Sequence, residues 1–259
     1  MLKHIGKVTI HNSNNAEDNS LRAAFFDIDG TLTSERTWKG ILDYFQRRGE
    51  RRGTHLLYMA VHYPLYFMRR LRLISESDFR APWAAHLAWY VRGYTVQQAD
   101  DLWDWAIDKF ISQYWRTDTR TLLEAHCESG DLVMLVSSGP LPLVQRAALQ
   151  LGVDHAVGTR FEIQAGLYTG RSLDPVCIDA YKASLPLDYL RTRGLKVDLE
   201  ASYAYADSLA DLPMLEMVGH PTAVYPDSGL QKIAAQRRWR IIPPSLGASS
   251  VQNDKVNEY

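Results

Sequence analysis

The sequence predicts an α/β fold: a doubly wound parallel sheet core with an inserted α-helical module. Three observations carry this. Short apolar runs of strand length alternate with helix-length segments through the second half of the chain. Between about residues 37 and 116 the texture differs, with long segments that hold few glycines and show little two-residue alternation. That same stretch contains Trp38, Trp83, Trp89, Trp103, Trp105 and Trp115, six of the seven tryptophans, as a module with its own core would.

The elements follow in order. Residues 1–20 read as a flexible lead-in rich in Asn and Ser, without the apolar run of a secretory signal. Ala23-Ala24-Phe25-Phe26 is a strand that runs into Asp27-Ile28-Asp29-Gly30-Thr31-Leu32-Thr33. Helices are expected near 37–48, 54–73, 75–91 and 95–116, with Ser75 and Thr95 as N-caps. The second of these is apolar nearly all round and flanked by Arg47, Arg48, Arg51 and Arg52 on one side and Arg69, Arg70 and Arg72 on the other. It reads first as a buried helix with solvated ends, kinked at Pro64, and second as a patch that meets a membrane surface. His62, within it, reads as a packed histidine.

Beyond residue 118 a helix to Ser129 stops at Gly130, and Leu132-Val133-Met134-Leu135-Val136 is a continuous apolar run suited to a buried parallel strand. It ends in Ser137-Ser138-Gly139-Pro140, ahead of a helix over about 141–150. Residues 156–172 alternate on both sides of Ala165-Gly166, as in a β-hairpin. A helix from Ile178 to Arg193, a short strand at 202–206 entering Asp207, a helix to about Val218, a strand at 222–225, a helix at 228–237 and a last strand at 238–242 complete the pattern. The expected division is a core of 21–34 and 117–243, a helical module of 35–116, and a flexible tail of 244–259.

A formal charge of −1 gives no field that would gather nucleic acid. No stretch reaches the length of apolar residues that a membrane span needs. Cys127 and Cys177 lack metal-ligand spacing and read as buried thiols of a reducing compartment, so a cytoplasmic location is expected.

The chemistry concentrates where the strands end. Asp27 and Asp29, two apart at the end of a strand, fall on one side of the chain. Carboxylates so placed repel unless a cation or a shared proton compensates. The third strand of this kind brings Asp207-Ser208-Leu209-Ala210-Asp211 to the same sheet edge, where open α/β sheets bind ligands. A few carboxylates with water and substrate oxygens suit Mg²⁺, so magnesium-dependent phosphate chemistry is the economical reading. Ser137, ahead of a helix, is placed to hold phosphoryl oxygens together with backbone N–H groups. Lys182, the one lysine between Lys109 and Lys196, is the cation best placed to balance this charge.

These stretches together, with Ala-Asp-Ser-Leu-Ala-Asp-Leu-Pro-Met-Leu around Asp207, resemble the haloacid dehalogenase (HAD) superfamily. More narrowly they are similar to its subfamily IB hydrolases, relatives of phosphoserine phosphatase, over about Leu21 to Ile242. The resemblance implies a Rossmann-like core with a C1-type helical cap. It implies that Asp27 is the nucleophile, forming an aspartyl-phosphate, and that Asp29 is the general acid–base. It further implies that Asp27, the backbone carbonyl of Asp29, and Asp207 hold Mg²⁺, that Asp211 supports them, and that Ser137 and Lys182 hold the phosphoryl group.

Two positions depart from the pattern. Ala206 stands where relatives commonly have Gly, a small and tolerable change. Arg36 stands nine residues after Asp27, where phosphoserine phosphatases commonly carry a substrate-binding Glu, and Glu35 precedes it. An arginine there does not favour a substrate ammonium group. The expected activity is hydrolysis of a small phosphorylated metabolite, a phosphate monoester. A lipid phosphate at a membrane surface and phosphotransfer to an alcohol are the alternatives. A non-catalytic scaffold is disfavoured because Asp27, Asp29, Ser137, Lys182 and Asp207 are all present.

Overall fold

The computed structural model describes residues 20–243; the expected lead-in, all but its last residue, and the tail of 244–259 lie outside them. Ala23–Phe26 (β1) is buried along its length and pairs in parallel with Leu132–Pro140 (β2) on one side and Tyr203–Ala206 (β6) on the other. His155–Thr159 (β3), His220–Val224 (β7) and Arg240–Ile242 (β8) extend the sheet in parallel to the order β3-β2-β1-β6-β7-β8. The chain builds outward from β1 in one direction, then returns to β6 and builds in the other. The crevice between β1 and β6 is therefore the topological switch point.

Alternation along β1 divides the core between the two faces of the sheet. Ala23 and Phe25 pack with Met134, Ala204, Met214 and Leu230, toward Tyr181–Thr192 (α7), Leu212–Glu216 (α8) and Ser228–Arg237 (α9). Ala24 and Phe26 face the other way, into a larger cluster with Thr117–Glu128 (α5) and Leu141–Leu151 (α6). That cluster continues without a break into residues between β1 and α5, including Phe45, Tyr58, Trp103 and Ile107. The tryptophan-rich stretch thus shares its core with the sheet.

Between β1 and α5 the chain forms Thr37–Arg48 (α1), Arg52–Arg70 (α2), Glu76–His86 (α3) and Val96–Asp104 (α4). Capping boxes at Ser75 and Thr95 start α3 and α4 as their sequences predict, each hydroxyl accepting an N–H three residues on. A 3₁₀ turn at Leu87–Val91 follows α3, and α4 passes through a π-helical turn at Trp105–Phe110 into another 3₁₀ turn, which replaces the single long helix expected to 116. The stretch is tied off by a two-stranded neck, where Ser34 N–H donates to the Tyr114 carbonyl at 2.9 Å and Arg116 N–H to that of Leu32 at 2.8 Å.

Three further expectations change. The 156–172 region divides: its first residues join the main sheet as β3, and only Phe161–Gln164 (β4) and Leu167–Ser172 (β5) form the hairpin, turning at Ala165 and Gly166, both with positive φ. Cys177 is buried as expected, but Cys127 is exposed, and both are free thiols. Helix α2 is not a buried helix. Only Tyr58 and His62 are buried in it, while Leu56 is 70% and Phe67 53% exposed. Hydrophobicity on all sides cannot tell a helix core from a helix with one face left open, which is why the sequence misled. His62 is a packed histidine as read, with Nδ1 on the Tyr58 carbonyl at 2.7 Å and rings of Tyr58, Trp83 and His86 around it.

Gly219, just before β7, is held against the loop ahead of β6: a Cβ there would lie 1.9 Å from the Glu200 carbonyl oxygen. Because that obstacle is backbone, the strand itself must move. Gly219→Ala is expected to destabilise the fold by about 1–3 kcal/mol, read as a lower urea midpoint with unchanged slope. An unchanged midpoint would show that β7 shifts freely.

Candidate active site

Strand β1 ends by passing its ladder to the next residue, Asp27 N–H donating to the Tyr205 carbonyl at 3.0 Å. This anchors Asp27 in the crevice, 3% exposed. One carboxylate oxygen accepts from Lys182 Nζ at 2.6 Å and the other from Thr31 Oγ1 at 3.1 Å. Lys182 is the second residue of α7, and its ammonium also meets Asp211 at the end of the 3₁₀ turn after β6. Burial works against its charge, but Asp211 and Asp27 outweigh burial and raise its pKa. It is a fixed cation.

Carboxylate oxygens of Asp27, Asp207 and Asp211 all lie within 4.8 Å of one another, and all three residues are buried. At that spacing two unit charges repel by about 3–4 kcal/mol at an effective dielectric constant of about 20. The pKa of Asp207 responds: burial and the Asp27 charge push it up to about 8, while Arg36 pulls the other way. Burial likewise raises Asp211, against the pull of Lys182.

Gly30 allows the approach of Asp207 to the first loop. Its φ is +103°, and a Cβ would fall 2.0 Å from Asp207 Oδ2. Asp29 turns the opposite way along the loop. Its carboxylate accepts from Thr37 N–H at 2.8 Å and from Thr37 Oγ1 at 3.1 Å, at the first turn of α1. Burial raises its pKa, with Arg36 and the Thr37 bonds opposing. Two carboxylates two residues apart thus have separate partners, a lysine for Asp27 and a helix N-terminus for Asp29.

Arg36, the residue that stands in the place of the Glu, lies over the Asp29 carbonyl and Asp207. Its Nη1 donates to the backbone carbonyl of Asp29, and its Nη2 lies 3.6 Å from Asp207 Oδ2. Ser137 is buried on β2, whose register sets Leu135 beside Phe26, so it leaves the sheet at the same edge as Asp27. The strand carries on past it to Pro140, so Ser137 does not sit at the first turn of α6. Its hydroxyl accepts from Gly139 N–H at 3.1 Å, which aims the oxygen without help from the helix.

All the residues singled out from the sequence therefore meet at one sheet edge. Others join them that strand-end logic does not find. Thr31 and Thr37 supply hydroxyls to Asp27 and Asp29. From α3, Ser77 Oγ donates to Asp179, and Arg80 Nη1 donates to Ser208 Oγ at 3.2 Å with its charge felt by Asp211. The [ST]xx[DE] cap at Ser75 fixes where α3 begins, but nothing local shows that its next turn crosses to loops more than a hundred residues away.

Residues 24–216 match the haloacid dehalogenase-like hydrolase family. A Mycobacterium tuberculosis protein named phosphoserine phosphatase SerB1 is 31% identical over 222 residues, spanning 85% of this chain and 70% of that protein. A Neisseria meningitidis protein named histidinol-phosphatase is 25% identical over 230 residues, 85% of this chain and 97% of its own length. Among solved structures, a protein of unknown function from Bordetella pertussis Tohama I superposes with a TM-score of 0.73 at 25% identity, covering 86% of this chain and 98% of that one. With three-quarters of its length matched to the family, the chain belongs to the haloacid dehalogenase-like hydrolases.

Proposed function

We propose that this enzyme is a phosphatase that hydrolyses the phosphate monoester of a small metabolite through an aspartyl-phosphate on Asp27. The observation that carries the reading is the buried Lys182 bridge between Asp27 and Asp211, beside Asp29 and Asp207. The relatives named as phosphatases support the reaction type.

In the first step an oxygen of Asp27 attacks phosphorus as the bond to the leaving alcohol breaks, and Asp29 gives that alcohol its proton. The raised pKa of Asp29 suits a group that must carry a proton to the reaction. In the second step Asp29 takes a proton from water, whose oxygen attacks phosphorus; the bond to Asp27 breaks and inorganic phosphate leaves. Lys182 and Ser137 hold the phosphoryl oxygens, and such charge neutralisation is the main source of rate in phosphoryl transfer.

The oxygens here suit a divalent cation: three buried carboxylates converge within 4.8 Å, burial and the Asp27 charge push Asp207 up to about 8, and Arg36 already sits across Asp207 and the Asp29 carbonyl. Asp27, the Asp29 carbonyl and Asp207 would hold Mg²⁺, with Asp211 in support. Bound there, Mg²⁺ would neutralise phosphoryl oxygens during transfer. Arg36 would have to yield its position, freeing its guanidinium for the substrate. Residues 35–116 would form the cap that selects the substrate, the core being 21–34 and 117–243. The two relatives are named for different phosphates, which fits substrate choice made outside the shared loops. A second reading, hydrolysis of a lipid phosphate, is favoured by the exposed apolar face of α2. Transfer to an alcohol acceptor would share the first step.

Asp27→Asn should lower phosphate release on the order of a thousandfold or more, with the circular dichroism spectrum unchanged. Near-full turnover would rule out the nucleophile assignment. Arg36→Ala should tighten Mn²⁺ binding, followed by electron paramagnetic resonance, by about tenfold, since a competing positive charge is gone. Unchanged or weaker Mn²⁺ binding would mean that Arg36 and the metal do not share a position.

A further inference from the structure

We propose that α2 is a docking helix by which the protein lies on an anionic membrane surface. This goes beyond the catalytic reading and holds for either substrate class. The helix packs into the protein through Tyr58 and His62, and it leaves Leu56, Leu57, Ala60, Tyr63, Phe67 and Met68 exposed. At 100° per residue these side chains fall within one arc, opposite Tyr58 and His62. Leu71 and Leu73, 69% and 67% exposed, prolong the stripe past the helix end. From Leu56 to Leu71 it runs about 22 Å. A continuous apolar stripe of this kind is unusual on a surface that meets only water.

Charge decides what covers it. Residues 51–75 contain five arginines and no acidic residue. Arg69 is committed to Glu76 at 2.9 Å, and Arg51 to the Arg92 carbonyl at 2.7 Å. Arg52, Arg70 and Arg72 are exposed and make no ion pair among the described residues. Arg52 and Arg70, eighteen residues apart, stand five helical turns from one another at the same angular position, along one margin of the apolar arc. An apolar stripe edged by unpaired arginines matches acyl chains edged by lipid phosphates. A second copy of the chain would set these arginines against their equivalents, and a bare apolar partner would leave them without counter-charge. The helix is too polar at its ends to cross: among the described residues no helix is long and apolar enough to span a membrane.

The test is co-sedimentation of the full chain with vesicles of equimolar phosphatidylglycerol and phosphatidylcholine, beside vesicles of phosphatidylcholine alone. The chain should pellet with the anionic vesicles, lose that binding as salt is raised, and bind the neutral ones at least about tenfold more weakly. Phe67→Ser with Leu71→Ser, and separately Arg52→Glu with Arg70→Glu, should each reduce binding about tenfold or more. Both double variants should keep the circular dichroism spectrum and the hydrolysis of a soluble aryl phosphate, because none of these side chains touches the strand-end loops. Failure of the wild-type chain to bind anionic vesicles would overturn the proposal. So would binding that both variants retain, equal binding to neutral vesicles, or a solution dimer that either variant dissociates.

Discussion

Lys182 stands between Asp27 and Asp211, three charges in a space from which water is nearly excluded. Buried ions are costly unless paired and hydrogen-bonded, and here each group solves the other's problem. The lysine keeps its charge because two carboxylates flank it, and Asp27 and Asp211 can lie close together because a cation bridges them. The elements involved come from three parts of the chain: β1, the first turn of α7 and the loop after β6. Holding them together is therefore a demand on the whole sheet. The parallel order, with its switch point between β1 and β6, meets that demand.

Local chemistry then separates groups that would otherwise behave alike. Asp27 and Asp29 are two residues apart, yet Asp27 faces an ammonium and Asp29 faces the N-terminus of α1. Gly30 lets Asp207 approach the loop that carries them. The stretch between β1 and α5 reaches the same crevice twice, through Arg36 at the neck and through Ser77 and Arg80 on α3. On the proposed reading, this is how a shared reaction centre can be fitted to a particular phosphate.

Much of this was legible in the sequence. Strand ends were marked by apolar runs stopping at carboxylates or Ser, and a parallel sheet forces such ends to one edge, so Asp27, Asp29, Ser137 and Asp207 could be grouped before their distances were known. Lys182, on a helix, stood out instead as the one lysine between Lys109 and Lys196. The capping boxes at Ser75 and Thr95 were equally plain, because their chemistry is local. What could not be read depended on distant packing. Arg36 looked like a substrate-facing departure and instead lies on the Asp29 carbonyl and near Asp207. Arg80 had no local mark at all. Helix α2 was misread because its sequence is apolar around the whole circumference, and only the fold decides which side the protein covers. The strand at β3 was merged with the hairpin because alternation continues across Arg160, where the chain changes sheets.

The central claim is that Asp27 carries the phosphoryl group between the two steps. Its most direct test is rapid acid quenching during turnover of a phosphate monoester, followed by borohydride reduction and peptide mass spectrometry. An acyl phosphate on Asp27 is reduced at its carbonyl carbon, so the account predicts homoserine at position 27 and at no other aspartate. Homoserine at a different position, or unmodified Asp27 at a time when release of the alcohol shows a burst, would contradict it.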